Sequence, residues 1–206
     1  PVTWYASRKA WDMSPGYDTL AHDSFRRRAT QGCLLCHAGL VEPRDPHGFT
    51  FPHDELSIGC ERCHGPGSMH IQHRQDRPAA PGTDRNIDHT IVNPRHLPRD
   101  LAEAVCHQCH PQSQAYVDPR GRGLADYRPG LALEDFQHYY RSTDPRQQMK
   151  VVGHAEQMML SRCYRESNSL TCITCHNPHA TPTIADRPAH YRRLCQNCHG
   201  AADTSR

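Results

Sequence analysis

Cys33-Leu34-Leu35-Cys36-His37 is the first of five Cys-x-x-Cys-His motifs in this 206-residue chain. At the observed frequencies of Cys and His, roughly 0.05 matches are expected by chance. Ten of the eleven cysteines belong to these motifs, which therefore decide the chemistry of the chain. In chain order, motifs 2 to 5 are Cys60-Glu61-Arg62-Cys63-His64, Cys106-His107-Gln108-Cys109-His110, Cys172-Ile173-Thr174-Cys175-His176 and Cys195-Gln196-Asn197-Cys198-His199.

This spacing is the attachment sequence for heme c. The two thiols add to the two vinyl groups on one porphyrin edge, and the imidazole of the next residue then reaches the iron. The sequence therefore predicts five covalently bound hemes c, each with its iron. Their proximal ligands are His37, His64, His110, His176 and His199.

Two other uses of paired cysteines compete with heme attachment. A disulfide framework gives no reason for a histidine after every second cysteine. Zinc ribbons need two Cys-x-x-Cys pairs for each metal and also leave the five histidines unexplained. Both alternatives explain the five motifs less well than heme attachment does.

The composition predicts a fold with little protein core. Only 36% of residues are hydrophobic, four are Phe, and the mean hydropathy is −0.82. Five porphyrins would supply the missing apolar surface, with about 41 residues of wrapping for each heme. We expect a mainly irregular, cofactor-cored fold with short α-helices and little or no β-sheet, which does not fold without heme.

The motif intervals predict one pentaheme domain over residues 1–206. Its parts are an N-terminal heme pair at about 1–75, a middle heme at about 95–115 and a C-terminal pair at about 150–206. Segments 74–100 and 111–150 read as irregular connectors that wrap rather than pack, with a short helix possible at Ala132 to Arg141. Better helix candidates start at Pro98 and Pro188, and a third covers about Gly153 to Arg165.

The sixth iron ligand decides between electron transfer and chemistry on an open heme. The chain has 17 histidines, so twelve remain after the proximal five. His70 and His179 follow their own motifs too closely to pass round a porphyrin, so each should ligate a neighbouring heme. The distal candidates are His22, His53, His70, His154 and His179, with His190 as the strongest reserve; a surface or propionate-bonding role is the alternative for each.

A resemblance supports these candidates. The strings Ser14-Pro15-Gly16-Tyr17-Asp18 with His22, motif 2 with Gly65-Pro66-Gly67 and His70, and His154-Ala155-Glu156-Gln157-Met158 with motif 4 and His179 resemble the doubled-CXXCH multiheme cytochromes. These are exported bacterial proteins, often fused to tetratricopeptide repeats and related to the tetraheme electron carrier of nitrifiers. The resemblance implies distal ligation by His22, His53, His70, His154 and His179, and no catalytic residue. Family members begin with a further heme-binding segment before the equivalent of Trp4, so we expect that an upstream segment is missing.

The charge and hydropathy of the chain limit its partners. The formal charge of +2 becomes about −3 with five ferric hemes, so nucleic acid is not an implied partner. No apolar run approaches the length of a membrane helix. Because covalent heme attachment takes place outside the bacterial cytoplasm, we expect a periplasmic or extracellular location.

The predicted function is electron transfer along five low-spin bis-His hemes, as a shuttle, a module of a larger cytochrome, or a filament formed by copies of the chain. A multiheme enzyme that converts nitrite or hydroxylamine is the alternative, although it needs one open heme. A structural or docking module is weaker still. Cys163, the odd cysteine, is expected to be a small buried residue; an intermolecular disulfide or a thiol near a heme edge are the alternatives.

Overall fold

The computed structural model describes residues 2–22, 24–26, 30–39, 42–45, 48–50, 57–77, 87–110, 115–140, 143–144 and 153–200. Short helices dominate these ranges, and irregular segments connect them. The helices are α1 (Gln31–His37), α2 (Glu61–His64), α3 (Ser68–Asp76), α4 (Arg99–His107), α5 (His154–Leu160), α6 (Arg162–Glu166), α7 (Cys172–Cys175) and α8 (Arg187–His199). Single 3-10 turns lie at Ser24–Arg26, Pro94–His96, Leu124–Asp126 and Leu133–Asp135.

The β-structure consists of three two-stranded antiparallel ribbons within the described residues. They pair β1 (Val2–Tyr5) with β2 (Ala10–Met13), β3 (Glu42–Asp45) with β4 (Gly48–Thr50), and β5 (Ala115–Val117) with β6 (His138–Tyr140). No ribbon joins another to form a larger sheet in this part of the chain. The predicted fold class, irregular with short helices and little β-sheet, is confirmed.

Proline and glycine set the bounds of the two best predicted helices. Pro98 is the N-cap of α4, and Pro188 lies in the first turn of α8, where a missing N–H costs nothing. Gly200 ends α8 with a φ of 68° and donates its N–H to the carbonyl of Gln196. Only glycine adopts this φ without strain, so the last helix stops directly after motif 5.

Two predicted helices differ in the structure. The helix expected from Gly153 to Arg165 is two helices, because Ser161 has an extended backbone and its Oγ accepts from the N–H of Tyr164 as the cap of α6. The helix expected at Ala132 to Arg141 is one 3-10 turn followed by β6. Pairing with β5 holds this second segment extended.

The apolar core lies where the sequence predicted a connector. Leu124, Tyr127 and Phe136 pack with Ala104 of α4, and the ring centroids of Tyr127 and Phe136 lie 5.8 Å apart. Leu35 of α1 and Leu133 flank this cluster. The prediction that segment 111–150 wraps rather than packs is therefore wrong. Tertiary contact with α1 and α4, rather than local pattern, gives these apolar residues their burial.

This core is small. Within the described ranges, four of the nine buried apolar side chains are alanines. Large side chains such as Trp11 (68% exposed) and Ile184 (71% exposed) remain open to solvent. At about 25 cal/mol per Å2 of apolar surface buried, such a core contributes little stability to a chain of this length. The low mean hydropathy of the sequence predicted this shortage of buried apolar surface. Polar contacts offset part of the missing stability.

A buried carboxylate joins α4 to α6. Glu103 is 3% exposed and accepts a 2.7 Å hydrogen bond from the hydroxyl of Tyr164. Arg99 donates to Glu103 at 3.5 Å and to the carbonyls of Tyr164 and Ser167, and its guanidinium lies 3.6 Å from the centre of the Tyr164 ring. Burial, and then the hydrogen bond to Glu103, raise the pKa of Tyr164. This network fixes motif 3, at the end of α4, relative to the segment that precedes motif 4.

Replacing Tyr164 with Phe should lower the free energy of unfolding by about 1.5–3 kcal/mol, because the buried Glu103 carboxylate loses a hydrogen bond. Denaturant unfolding of the heme-loaded protein, followed by far-ultraviolet circular dichroism, measures the change. Tyr140→Phe is the matched control, since that side chain is 56% exposed, and we expect a change within about 0.5 kcal/mol. Equal stability of the two variants would contradict the role of the network.

Candidate heme-attachment sites

Every motif lies at the C-terminal end of a short helix. Motif 1 ends α1, motif 2 ends α2 and motif 5 ends α8, while α4 and α7 end inside motifs 3 and 4. Helical residues at i, i+3 and i+4 share one face. In motifs 1 and 5, where both cysteines and the histidine are helical, the two thiols and the imidazole therefore share one side, as attachment of one porphyrin edge and ligation of its iron require.

The thiols are free and accessible. All eleven cysteines are reduced, and each is exposed or partly exposed. This donor set fits heme c, which needs two reduced thiols beside a histidine, whereas a disulfide framework would have paired them.

Thiols from different motifs contact each other. A hydrogen bond with the Cys109 thiol lowers the pKa of Cys36 to about 7, and one with the Cys106 thiol lowers the pKa of Cys172 to about 4. The same hydrogen bonds, and then burial, raise the pKa of both Cys106 and Cys109. Motif 3 therefore touches motif 1 through one cysteine and motif 4 through the other.

The variable residues inside the motifs also connect them. The guanidinium of Arg62, in motif 2, donates to the carbonyl of Leu35 in motif 1. Gln108, in motif 3, is 2% exposed, and its Nε2 donates to the carbonyl of Arg62 at 2.9 Å and to that of Val105 at 2.8 Å. Motifs 1, 2 and 3 thus form one hydrogen-bonded group.

The proximal imidazole of motif 2 is oriented for ligation. Nδ1 of His64 lies 2.7 Å from the carbonyl oxygen of Val92. A carbonyl can only accept, so Nδ1 carries the proton and Nε2 keeps its lone pair. Metal-bound histidines are held in this way by a backbone carbonyl or a carboxylate.

His179, which follows motif 4, faces His64 of motif 2. The two rings are parallel within 7°, and their centroids lie 5.9 Å apart. Two histidine–metal bonds of about 2 Å, plus about 1 Å from each nitrogen to its ring centre, place the centroids of an axial pair about 6 Å apart. The pair therefore has the spacing of two imidazoles on opposite sides of one iron.

His154, at the start of α5, faces His110 of motif 3. Their centroids lie 5.0 Å apart at an angle of 41°, and their Nδ1 atoms are 3.1 Å apart. Burial, and then the neighbouring His154, lower the pKa of His110. These rings are closer than an axial pair and approach through their Nδ1 atoms, so ligation of a shared iron through Nε2 requires both rings to turn as well as to separate by about 1 Å.

His70, on α3, is held by a carboxylate rather than by another imidazole. Its Nδ1 lies 3.0 Å from Oδ2 of Asp88, which also accepts from Arg74 at 2.8 Å. The hydroxyl and N–H of Thr90 donate to the other oxygen of Asp88, and these bonds are the first cause of its lowered pKa. The arrangement leaves Nε2 of His70 available as a metal ligand.

The other candidates have less defined surroundings. Nδ1 of His22 accepts from the N–H of Ser24, a bond that places the ring proton on Nε2 and that ligation through Nε2 would have to replace. His53 lies outside the described residues. The ring of the reserve His190 lies 5.2 Å from that of Tyr191, whose hydroxyl is 3.4 Å from Nδ1 of the proximal His176.

Two further residues depart from expectation. Cys163 is exposed on α6, so the prediction that it is a small buried residue is wrong. His107, a spacer residue of motif 3, hydrogen bonds to the Cys172 thiol, and this bond helps to lower the pKa of Cys172. Motif pattern gives no signal for such a contact.

Sequence reasoning also missed Arg62, Gln108, Val92 and Asp88, which support the motifs and histidines. The first two are spacers in the motif, where any residue type is allowed. The other two act through tertiary contact, a backbone carbonyl in one case and an isolated aspartate in the other. The motif pattern carries no signal for any of these four roles.

Within the described ranges, no helix is both long enough and apolar enough to cross a membrane. The longest, α8, has 13 residues and carries three arginines among them.

Comparison with known proteins agrees with the site. The family model described as the doubled CXXCH motif matches residues 166–204, which contain motifs 4 and 5. The C-type polyheme cytochrome OmcB, from two strains of Geobacter sulfurreducens, is 25% identical over 193 residues. The alignment covers 81% of this chain and 24% of the relative, so the chain spans about a quarter of the length of the curated relatives it matches. No solved structure matches.

The relatives align with most of the chain, and the family model falls on the segment that supplies both His179 and the last two attachment motifs. Together with thiols and imidazoles whose arrangement fits heme c, these matches make the chain similar to multiheme c-type cytochromes with doubled CXXCH motifs.

Proposed function

We propose that the chain carries electrons through five covalently attached hemes c, each closed by a second histidine. The observation that supports this most directly is the His64–His179 pair, two parallel imidazoles from distant parts of the chain at the spacing of axial ligands. A second histidine on each iron leaves no open position for substrate.

When bound, heme supplies an iron that gains and loses one electron. The chain's own residues determine where the heme is held and how its histidine ligands are oriented. The thiols would anchor the group, the carbonyl of Val92 fixes the tautomer of His64, and His179 would supply a second imidazole. The carboxylate of Asp88 holds Nδ1 of His70, as the carbonyl of Val92 holds Nδ1 of His64.

The segment around motif 4 supplies ligands for other motifs in this proposal. His179 follows motif 4 and faces motif 2, while His154 precedes motif 4 and faces motif 3. These pairs hold separate attachment sites close together, which short-range electron transfer requires. We propose His22, His53 and His70 as the remaining distal ligands, with His190 in reserve.

We further propose a periplasmic or extracellular location, one pentaheme domain over residues 1–206, and redox proteins as partners. Covalent heme attachment outside the bacterial cytoplasm supports the location. Nothing on the described residues favours a filament, so we propose a carrier or a module of a longer cytochrome. An enzyme would need an iron with an open coordination position. The next experiment detects such an iron.

All hemes of the unaltered protein should give low-spin ferric signals in electron paramagnetic resonance, because each iron has two histidine ligands. His179→Ala should convert one heme of the set to high spin. His96→Ala, at an exposed histidine outside the proposed ligands, should leave the spectrum unchanged.

Either of two results would contradict the proposal. If His179→Ala gave the same low-spin spectrum as the unaltered protein, His179 would not be an iron ligand. A high-spin signal equal to one heme in the unaltered protein would support the enzyme instead.

Replacing Cys172 and Cys175 together with Ser should prevent folding, because the small protein core cannot offset the loss of one porphyrin. We expect low yield and rapid cleavage in limited proteolysis of the exported protein. Cys163→Ser is the control, since that exposed cysteine lies outside the motifs. Recovery of a protease-resistant double variant that lacks one heme would show that the protein core suffices.

A further inference from the structure

Arg62 is a half-buried cation at the meeting point of three attachment motifs. It belongs to motif 2, donates to the Leu35 carbonyl in motif 1, and accepts at its own carbonyl from Gln108 in motif 3. Its Nε is buried and has no hydrogen-bond partner among the described residues. A guanidinium held between motifs in this way cannot turn freely into solvent.

The charge of Arg62 is not neutralised locally. Within the described part of the chain, no carboxylate pairs with it, whereas Arg8, Arg74 and Arg99 each have an acidic partner. Arginine stays protonated under all ordinary conditions. The charge is therefore permanent and, at a half-buried position, less screened than at the surface.

The contacts of Arg62 place it beside a cysteine of each of the three motifs. Arg62 directly precedes Cys63 in motif 2, its guanidinium donates to the carbonyl of Leu35 next to Cys36, and its carbonyl accepts from Gln108 next to Cys109. The residue thus lies close to the attachment cysteines of motifs 1, 2 and 3.

We propose that Arg62 is a positioning residue shared by motifs 1, 2 and 3, and that its charge raises the reduction potentials of their three hemes together. A positive charge favours the state that holds one more electron, so the electron accepted from a donor is stabilised on this part of the chain. The proposal rests on the proposed electron-transfer function. It makes hemes 1 to 3 a unit distinct from hemes 4 and 5.

The test is a redox titration of the heme-loaded protein at an electrode, followed by nuclear magnetic resonance of the heme methyl groups, which resolves individual hemes. Arg62→Gln should lower the reduction equilibrium constants of three hemes by about tenfold each, equal to about 59 mV for one electron. The other two hemes should not change. Arg120→Gln, at an exposed arginine, makes the same change in net charge and should leave all potentials in place.

Two further variants separate charge from packing. Arg62→Lys keeps the positive charge, so each of the three reduction potentials should return at least half of the way to its value in the unaltered protein. This variant can also be measured if Arg62→Gln fails to fold. Gln108→Ala removes the hydrogen bond to the Arg62 carbonyl without a change in charge. It should lower thermal stability while moving the three potentials by less than half as much.

The proposal fails if Arg62→Gln shifts no heme beyond the control, shifts one heme only, or shifts all five equally. It also fails if Arg62→Lys restores nothing or if Gln108→Ala moves the potentials as much as Arg62→Gln. In these cases the unaltered protein still shows five low-spin, one-electron centres. Absence of those centres would instead contradict the proposed function.

Discussion

The approach of two imidazoles from distant parts of the chain is the contact on which the rest of the arrangement depends. His64 and His179 come from opposite sides of the middle motif in the sequence, yet their rings are parallel at 5.9 Å. Helix ends present the thiols and the imidazoles of the motifs, but the position of a helix end does not determine which distant residue it meets. In the proposed function, histidines outside the motifs determine this by bringing separate motifs together.

Around these pairs the protein uses polar contacts where other proteins use apolar packing. Gln108 joins motif 3 to motif 2, Arg62 joins motif 2 to motif 1, and Glu103 joins α4 to α6. Each is a specific hydrogen bond from or to a buried or half-buried group, and an unmade partner there costs about 1–3 kcal/mol. Such contacts depend on direction as well as distance, so they fix the positions of the groups they join. They suit the proposed function, which requires cofactors to be held at set separations.

Local chemistry made part of this structure predictable. Cysteine and histidine spacing predicted the attachment sites, and Pro98 and Pro188 marked the starts of α4 and α8 because each acts on its own backbone. Short tethers indicated that His179 serves a motif other than its own, and the structure places it opposite His64; its ligation of a heme remains a prediction.

What the sequence did not predict depends on distant contacts. The ribbons are three or four residues a strand, too short for an alternating pattern to be recognised. Leu124, Tyr127 and Phe136 are scattered among polar residues, and only contact with α1 and α4 buries them. Ser161 interrupts a helical pattern by capping the next helix. Asp88 and Val92 gain their roles from neighbours that are remote in the sequence.

The pairing of His64 with His179 has a consequence for biosynthesis. If the chain is exported as proposed, it would emerge from the membrane in sequence order, and motif 2 would leave the translocation machinery long before residue 179. A heme joined to Cys60 and Cys63 at that stage would have one protein ligand and an accessible iron. We expect such a chain to need protection, by a chaperone or by the attachment machinery itself, until its C-terminal third arrives. Truncation after motif 3 should therefore affect the N-terminal hemes as well as removing the last two.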